Sequence, residues 1–419
     1  MPQQAVRAGQ DRAVPLTTSV ESTALPLICF SHLRWDFVYQ RPQHLMSRFA
    51  VHRRVFFIEE HIFGDGAARY DVRTRDNGVR VVTPVLPRGT PAADVDSMLR
   101  RMMDELLYRE HITNFVAWYY TPMMLTWTNH LQPAAVIYDC MDELSLFRGA
   151  PLEMVERERE LLQRAQIVFT GGVSLYEAKQ GRHPHVHCFP SSIDRTHFAP
   201  ARTSKQEPED QRPIPHLRLG FAGVIDERMD VALLDEIAVR HPEWHLIMVG
   251  PVVKIDPATL PRRANIHFLG PKPYKDLPTY MGGWDVALLP FALNESTRFI
   301  SPTKTPEYLA AGCPVVSTPI RDVVSPYGMA ELVHIAETAE AFCAAIEQIL
   351  TQSPDARRHW QTRVDGFLST LSWDRTYEKM ARLVAEATQH RTVSRRLELG
   401  ITAPLLSRVS EVSGASSNV

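Results

Sequence analysis

The stretch S-P-T-K-T-P-E-Y-L-A-A-G-C-P-V-V-S-T, residues 301–318, decides how this chain is read. It predicts a short helix followed at once by a buried parallel strand. Tyr308-Leu309-Ala310-Ala311 is apolar, and Gly312 stands where a helix C-terminus favours a residue tolerant of positive φ. Val315-Val316 then makes an apolar run bounded by Pro314 and Pro319. The polar content gathers at the helix start, where Ser301, Thr303, Lys304 and Glu307 fall within two turns. A helix N-terminus presents free N–H groups and partial positive charge to an anion, and Lys304 adds a full charge there. Glu307 can accept hydrogen bonds from two neighbouring hydroxyls, as on a ribose. One element can therefore hold both ends of a nucleoside diphosphate. The same residues also make an ordinary surface helix start, with a Ser or Thr cap and a Glu complementing the dipole. Pro306 costs a hydrogen bond if Ser301 is the cap and little if Thr303 is; the sequence leaves both open.

The run 301–318 resembles the donor-site helix of GT-B fold glycosyltransferases of the broad family 4, or group 1, type. Other segments follow in the expected order. Leu219-Gly220-Phe221-Ala222-Gly223 resembles the first strand and glycine turn of the donor domain. His245 to Pro251, Asn265 to Gly270 and Trp284 to Phe291 resemble the next three strands. The match covers residues 217–320. The N-terminal part, 28–198, is similar to a subgroup with F-S-H-L-R-W-D and Q-R-P-Q-H-L near its start. Two departures stand out. The family pattern carries two glutamates eight residues apart; Glu307 fits the second, but the first position holds Phe299. The usual Gly-Arg pair after the first donor strand is also absent, since Val224 follows Gly223 and the nearest arginine is Arg228.

Organisation along the chain agrees. Apolar segments at 25–30, 55–58, 115–119, 134–138, 167–169 and 186–189 read as strands. Helical patterns at 41–52, 94–110, 152–165 and 174–180 alternate with them. Such alternation means a doubly wound parallel sheet. Residues 200–216 have a linker composition, with Pro208, Pro213 and Pro215. The expected architecture is therefore α/β, two Rossmann-like domains facing across a cleft, as the GT-B resemblance also implies. The expected divisions are a disordered tail at 1–24, an acceptor-side domain at 25–199 and the linker at 200–216. A donor-binding domain at 217–370, a crossover helix at 371–390 and a disordered tail at 391–419 complete the chain.

Composition bounds the function. The chain has 419 residues, 44% hydrophobic and 22% charged, with a net charge of −2. That is a globular protein with no overall basic field calling for nucleic acid. No run of about 18 apolar residues marks a membrane span. Residues 1–24 hold Arg7 and Arg12 but no apolar core of a secretory signal. Five separated cysteines without a C-x-x-C pair point to reduced thiols and a cytoplasmic protein.

Ligands in open α/β sheets bind beyond the carboxyl ends of the strands. In the first domain that rule selects His32 after the first strand, Tyr120 after the 115–119 strand, and the acids after Tyr138. Arg41, opening the next helix, joins His32 and Tyr120 as an acceptor-side candidate. In Y-D-C-M-D-E, Asp139 is the first candidate for a base or electrostatic stabiliser and Asp142 the second; the resemblance puts a catalytic His or Asp at that strand end. Capping the next helix or pairing with Arg148 is the competing role for these acids. On the donor side the candidates are Gly223, Arg228, Ser301, Thr303, Lys304 and Glu307.

Some patterns carry less. His183, His185 and His187 alternate, but they run into a turn and have no acidic fourth ligand near in sequence. Asp94-Val95-Asp96 sits at a helix start, where capping explains it. Arg48, Arg53 and Arg54 near Phe49, Phe56 and Phe57 allow two readings. One is a peripheral face for an anionic membrane carrying a lipid-linked acceptor. The other is a helix C-terminus rich in cations over core phenylalanines.

The expected function is transfer of a sugar from a UDP- or GDP-sugar to a hydroxyl of a carbohydrate or lipid-linked acceptor, without a metal. Phe299 motivates an alternative, a GT-B-like protein that binds a sugar nucleotide without turnover. A non-hydrolysing sugar-nucleotide epimerase shares the fold and is a third.

Overall fold

The computed structural model describes residues 24–204 and 206–398, with side chains as far as 389. The tails read as disordered fall largely outside them, at 1–23 and 399–419.

Two sheets organise the chain. The first contains β1 (Leu27–Phe30), β2 (Val55–Ile58), β3 (Ile62–Gly64), β4 (Arg69–Thr74), β5 (Arg80–Pro87), β6 (Val116–Tyr119), β7 (Ala135–Cys140), β8 (Ile167–Thr170) and β9 (Val186–Cys188). Its order is β3-β5-β2-β1-β6-β7-β8-β9, with β4 antiparallel on β5 and the other pairings parallel. The second contains β10 (Arg218–Ala222), β11 (His245–Val249), β12 (Ile266–Gly270), β13 (Val286–Leu289), β14 (Val315–Ser317) and β15 (Val333–Ile335). Its order is β12-β11-β10-β13-β14-β15, all parallel. In each sheet the order reverses beside its first strand, between β1 and β6 and between β10 and β13. Those crevices are where an open α/β sheet binds ligands.

Most predicted strands lie within a residue or two of the observed ones. The β3–β5 ribbon is the exception. β5 is buried along most of its length, yet Pro84 and Pro87 interrupt its apolar run, and β4 presents largely exposed R-Y-D-V-R-T. Neither resembles an isolated strand.

Residues 200–216 are not a loose tether. Arg202 donates to the carbonyls of Ala310 (2.7 Å) and Leu309 (3.3 Å) and pairs with Asp365 at 2.8 Å. Buried Gln211 donates to the Tyr280 carbonyl and accepts from Trp284 Nε1, both at 3.0 Å. Composition detects the prolines but not these side-chain anchors.

The final helix, Trp373–Glu398, runs past the expected end at 390. No glycine or proline interrupts it; the first beyond it is Gly400. Its Trp373, Met380 and Val384 complete the apolar layer of the first domain, beside Phe49, Phe57 and Trp118. This helix also packs on the helix Arg41–Ala50. Arg48 pairs with Asp374 at 2.6 Å, Arg53 lies over Phe49, and Phe49, Phe56 and Phe57 are buried. The phenylalanines considered for a membrane face, with Arg48 and Arg53, are thus engaged within the protein, while Arg54 is exposed. No helix among the described residues is long and apolar enough to cross a membrane.

Candidate active site

The helix that opened the sequence reading spans Lys304–Ala310, with Thr303 at the cap position and Gly312 at φ +83° beyond its end. Pro306 is therefore its third residue, as the Thr303 alternative requires. Thr303 makes no side-chain cap. Tyr308 anchors the helix to the end of β10. Its hydroxyl accepts from the Ala222 N–H at 2.7 Å and donates to the Ala222 carbonyl at 3.3 Å. One turn earlier, Lys304 is thereby laid across Gly223. Gly223 has φ +153°, and a Cβ there would overlap the Lys304 side chain. Lys304 Nζ stands 5.8 Å from the Phe221 ring.

The pocket is charged and half-buried. Burial, then Arg228, lowers the Lys304 pKa; Glu307 acts in the opposite direction. Burial raises the Glu307 carboxyl to about 7 against the pull of Lys304. Among the described residues neither the ammonium nor the carboxylate has a hydrogen-bond partner. Arg228 is held in a fork by Asp226, at 2.9 and 2.7 Å, which keeps it charged and aimed.

The first domain faces this pocket with the loop that follows β7. Phe147 of that loop carries Arg228 and Lys254 near its ring, each 5.4 Å from the centroid. Burial raises the pKa of Asp142, and Arg228 and Lys304 are the first charges that oppose it. Asp142 therefore stands within the field of these two cations. His32, after β1, lies within the field of Lys254. Burial and Lys254 hold its pKa near about 4, and its buried Nδ1 has no partner.

Three candidates are displaced. β7 runs to Cys140, two residues beyond the expected end, so Asp139 lies inside the sheet and is fully buried. Its carboxylate takes the Arg41 guanidinium at 2.8 and 3.1 Å, and Arg41 also donates to the Phe189 carbonyl at 2.7 Å. Asp139 has no access to an acceptor, and Arg41 ties strands together below the cleft. Tyr120 is 1% exposed beside them and lines no open surface. Of the acids after Tyr138, the second choice, Asp142, is the one in the cleft.

Ser301 sits at the seam between domains, accepting from Ser191 Oγ at 3.5 Å, and a Cβ on Gly172 would crowd its side chain. Phe299, in the place of the first family glutamate, packs against the apolar layer of the first domain. The chain reading missed Asp226, Phe147 and Lys254. Asp226 alone left a signal, an acid two residues from Arg228 just past a strand. The histidines of 183–187 make ordinary contacts: His183 Nε2 hydrogen-bonds the Ala165 carbonyl at 3.1 Å. Asp96 accepts from Thr126 at 3.1 Å, while Asp94 lies in a first turn behind Pro91.

With this geometry in place, comparison with known proteins gives the class. Residues 217–352 match the family model described as glycosyl transferases group 1, and the described residues have the GT-B fold. The sucrose-phosphate synthase of Thermosynechococcus elongatus superposes with a TM-score of 0.64 at 16% identity, over 87% of this chain and 99% of that one. Anabaena Alr3699/HepE, solved in complex with UDP and glucose, superposes with a TM-score of 0.61 at 12% identity, over 86% and 100%. At the level of sequence, the chain is 29% identical over 245 residues to a putative teichuronic acid biosynthesis glycosyltransferase, TuaH, of Bacillus subtilis strain 168. That match covers 52% of this chain and 59% of the relative, so the chain spans under two thirds of that protein's length. The family match thus lies within the second domain.

Proposed function

We propose that this chain moves a sugar from a UDP- or GDP-sugar to a hydroxyl of a carbohydrate acceptor, free or lipid-linked, in polysaccharide synthesis. The observation that carries the reading is the convergence of Lys304, Arg228 and Glu307 on one side of the cleft with Asp142 on the other. Glu307 takes the ribose hydroxyls. Lys304 and Arg228 hold the diphosphate and stabilise its charge as it leaves, the role a divalent ion plays elsewhere; we therefore propose a metal-independent transferase. Asp142 meets the acceptor as base or electrostatic stabiliser. The UDP complex of HepE and the polysaccharide named for TuaH favour this donor and pathway. Five free cysteines accord with a cytoplasmic site.

Incubation with UDP- and GDP-sugars and a sugar-acceptor panel tests the reading. Transfer with release of nucleoside diphosphate is expected, unchanged by EDTA. Activity lost to EDTA and restored by a divalent ion removes metal independence. Binding without release assigns a non-catalytic protein, and release of a 2-epimerised sugar assigns the epimerase.

Donor binding is expected to depend on pH through Glu307. The folded carboxyl titrates near about 7, and accepting two hydroxyls requires its ionised form. As pH falls below that value the proton must first be removed, so affinity drops by up to about tenfold per unit. Above it affinity is flat. Glu307→Gln loses charge-assisted bonds of about 1.5–3 kcal/mol, which weakens the nucleoside diphosphate roughly ten- to a hundredfold and abolishes the pH slope. Calorimetric titration from pH 5.5 to 8.5 checks both. Wild-type affinity in the variant takes Glu307 out of the site.

A further inference from the structure

One short helix of the first domain, Val173–Lys179, contacts the second domain at its start and midway along. At its start the Asp322 carboxylate, from the second domain, accepts the Ser174 N–H at 3.0 Å. Asp322 lies so close to Gly172 that a Cβ there would overlap its second oxygen, and that oxygen is buried without a partner. Midway along, Glu177 pairs with Arg321 of the second domain. At the end, fully buried Lys179 holds Glu143 at 2.6 Å and Glu158 at 2.5 Å. Glu158 is fixed in turn by Tyr138 at 3.0 Å and Arg182 at 2.8 Å. Glu143 is the residue after Asp142.

We propose that this helix is a strut that couples the seating of the second domain to the position of Asp142. Asp322 and Lys179 are its two ends and act as positioning residues. Asp322 supplies the cap that the helix lacks within its own domain, where Gly172 occupies the cap position and offers no side chain. With the domains together the cap is made and the helix is ordered. Lys179 then lies where one ammonium bridges two carboxylates, and the loop from Asp142 to Phe147 is drawn onto the donor-side cations. With the domains apart, the Ser174 N–H loses its acceptor, and the buried ammonium is no longer delivered in register to Glu143. The glycine at 172 fits this use, since any side chain there would push Asp322 away. The role given to Asp142 rests on the sugar-transfer reading; the mechanical coupling does not.

Two measurements on the full chain test it. The first is hydrogen exchange without ligand. Asp322→Ala is expected to speed exchange about tenfold, the size of a lost helix cap, both in the helix and in the 141–147 loop that Asp322 does not touch. Asp322→Asn, which keeps an oxygen for the Ser174 N–H, is expected to restore the wild-type rates. The second is kinetics. Asp322→Ala and Glu143→Gln should each lower kcat about tenfold with the donor KM within about twofold, and the double variant should be no slower than the slower single. Loop exchange at the wild-type rate in Asp322→Ala, or losses that multiply in the double variant, would overturn the strut. If Asp322→Ala does not fold, Arg321→Ala replaces it, with the same direction expected and wild-type loop exchange again overturning. If no sugar nucleotide is turned over, the sugar-transfer reading fails and the exchange result still decides the coupling.

Discussion

Lys304→Ala protein turns over its donor about a hundred- to a thousandfold more slowly than wild type, the loss seen when one preorganised charge-stabilising group is deleted. The size follows from the setting. The ammonium lies over Gly223 in a half-buried pocket shared with Arg228, where its field on a leaving diphosphate is screened less than in open water. Arg228 alone, already held by Asp226, cannot replace it. Melting should be unchanged or higher, because burial disfavours this charge in the empty site. Steady-state turnover beside a melting curve measures both. Unaltered turnover with donor saturating would remove the cation from the chemistry and take the sugar-transfer reading with it.

Asp139→Ala has a large effect of the opposite kind, on folding rather than turnover. Removing this carboxylate leaves the Arg41 guanidinium buried without its counter-ion, which costs about 3–5 kcal/mol. For domains of this size that lowers the melting temperature by roughly 10 °C, at about 2–4 °C per kcal/mol. Below the transition, each folded molecule should turn over at close to the wild-type rate. A variant of full stability and no activity would return Asp139 to the chemistry. Replacing both members of the pair with apolar residues of similar size should recover much of the loss.

These residues show what a chain reading can and cannot reach. The donor helix was legible because its information is local: cap, charge, carboxylate and terminal glycine follow within twelve residues. Parallel strands were legible because burial on both faces makes each a short apolar run. The acids after Tyr138 were the difficulty. Consecutive strand residues point to opposite faces, so extending β7 by two residues changes which acid reaches the cleft. Nothing in Y-D-C-M-D-E marks that end; it depends on Arg41, distant in sequence and docked from another helix. Phe147 and Lys254 were illegible for the same reason. Each is an ordinary loop residue until the two domains are set face to face. Pro84 and Pro87 hid β5, because proline usually argues against a central strand.

The final helix has a consequence for how this protein can be divided. Trp373, Met380 and Val384 fill the first domain from the far end of the sequence. That domain is therefore discontinuous, with the whole second domain spliced between its last strand and its last helix. A chain stopped near residue 370 would retain every strand of both sheets and still leave a greasy trough along the helix Arg41–Ala50. Cutting at the 200–216 junction would not yield two sound halves either. A self-contained first domain needs 373–398 carried back to it, as a separate peptide or by circular permutation. By the same topology, the second domain is tied to the first at both of its ends, so a doubled strand of chain, not a single thread, joins the two lobes.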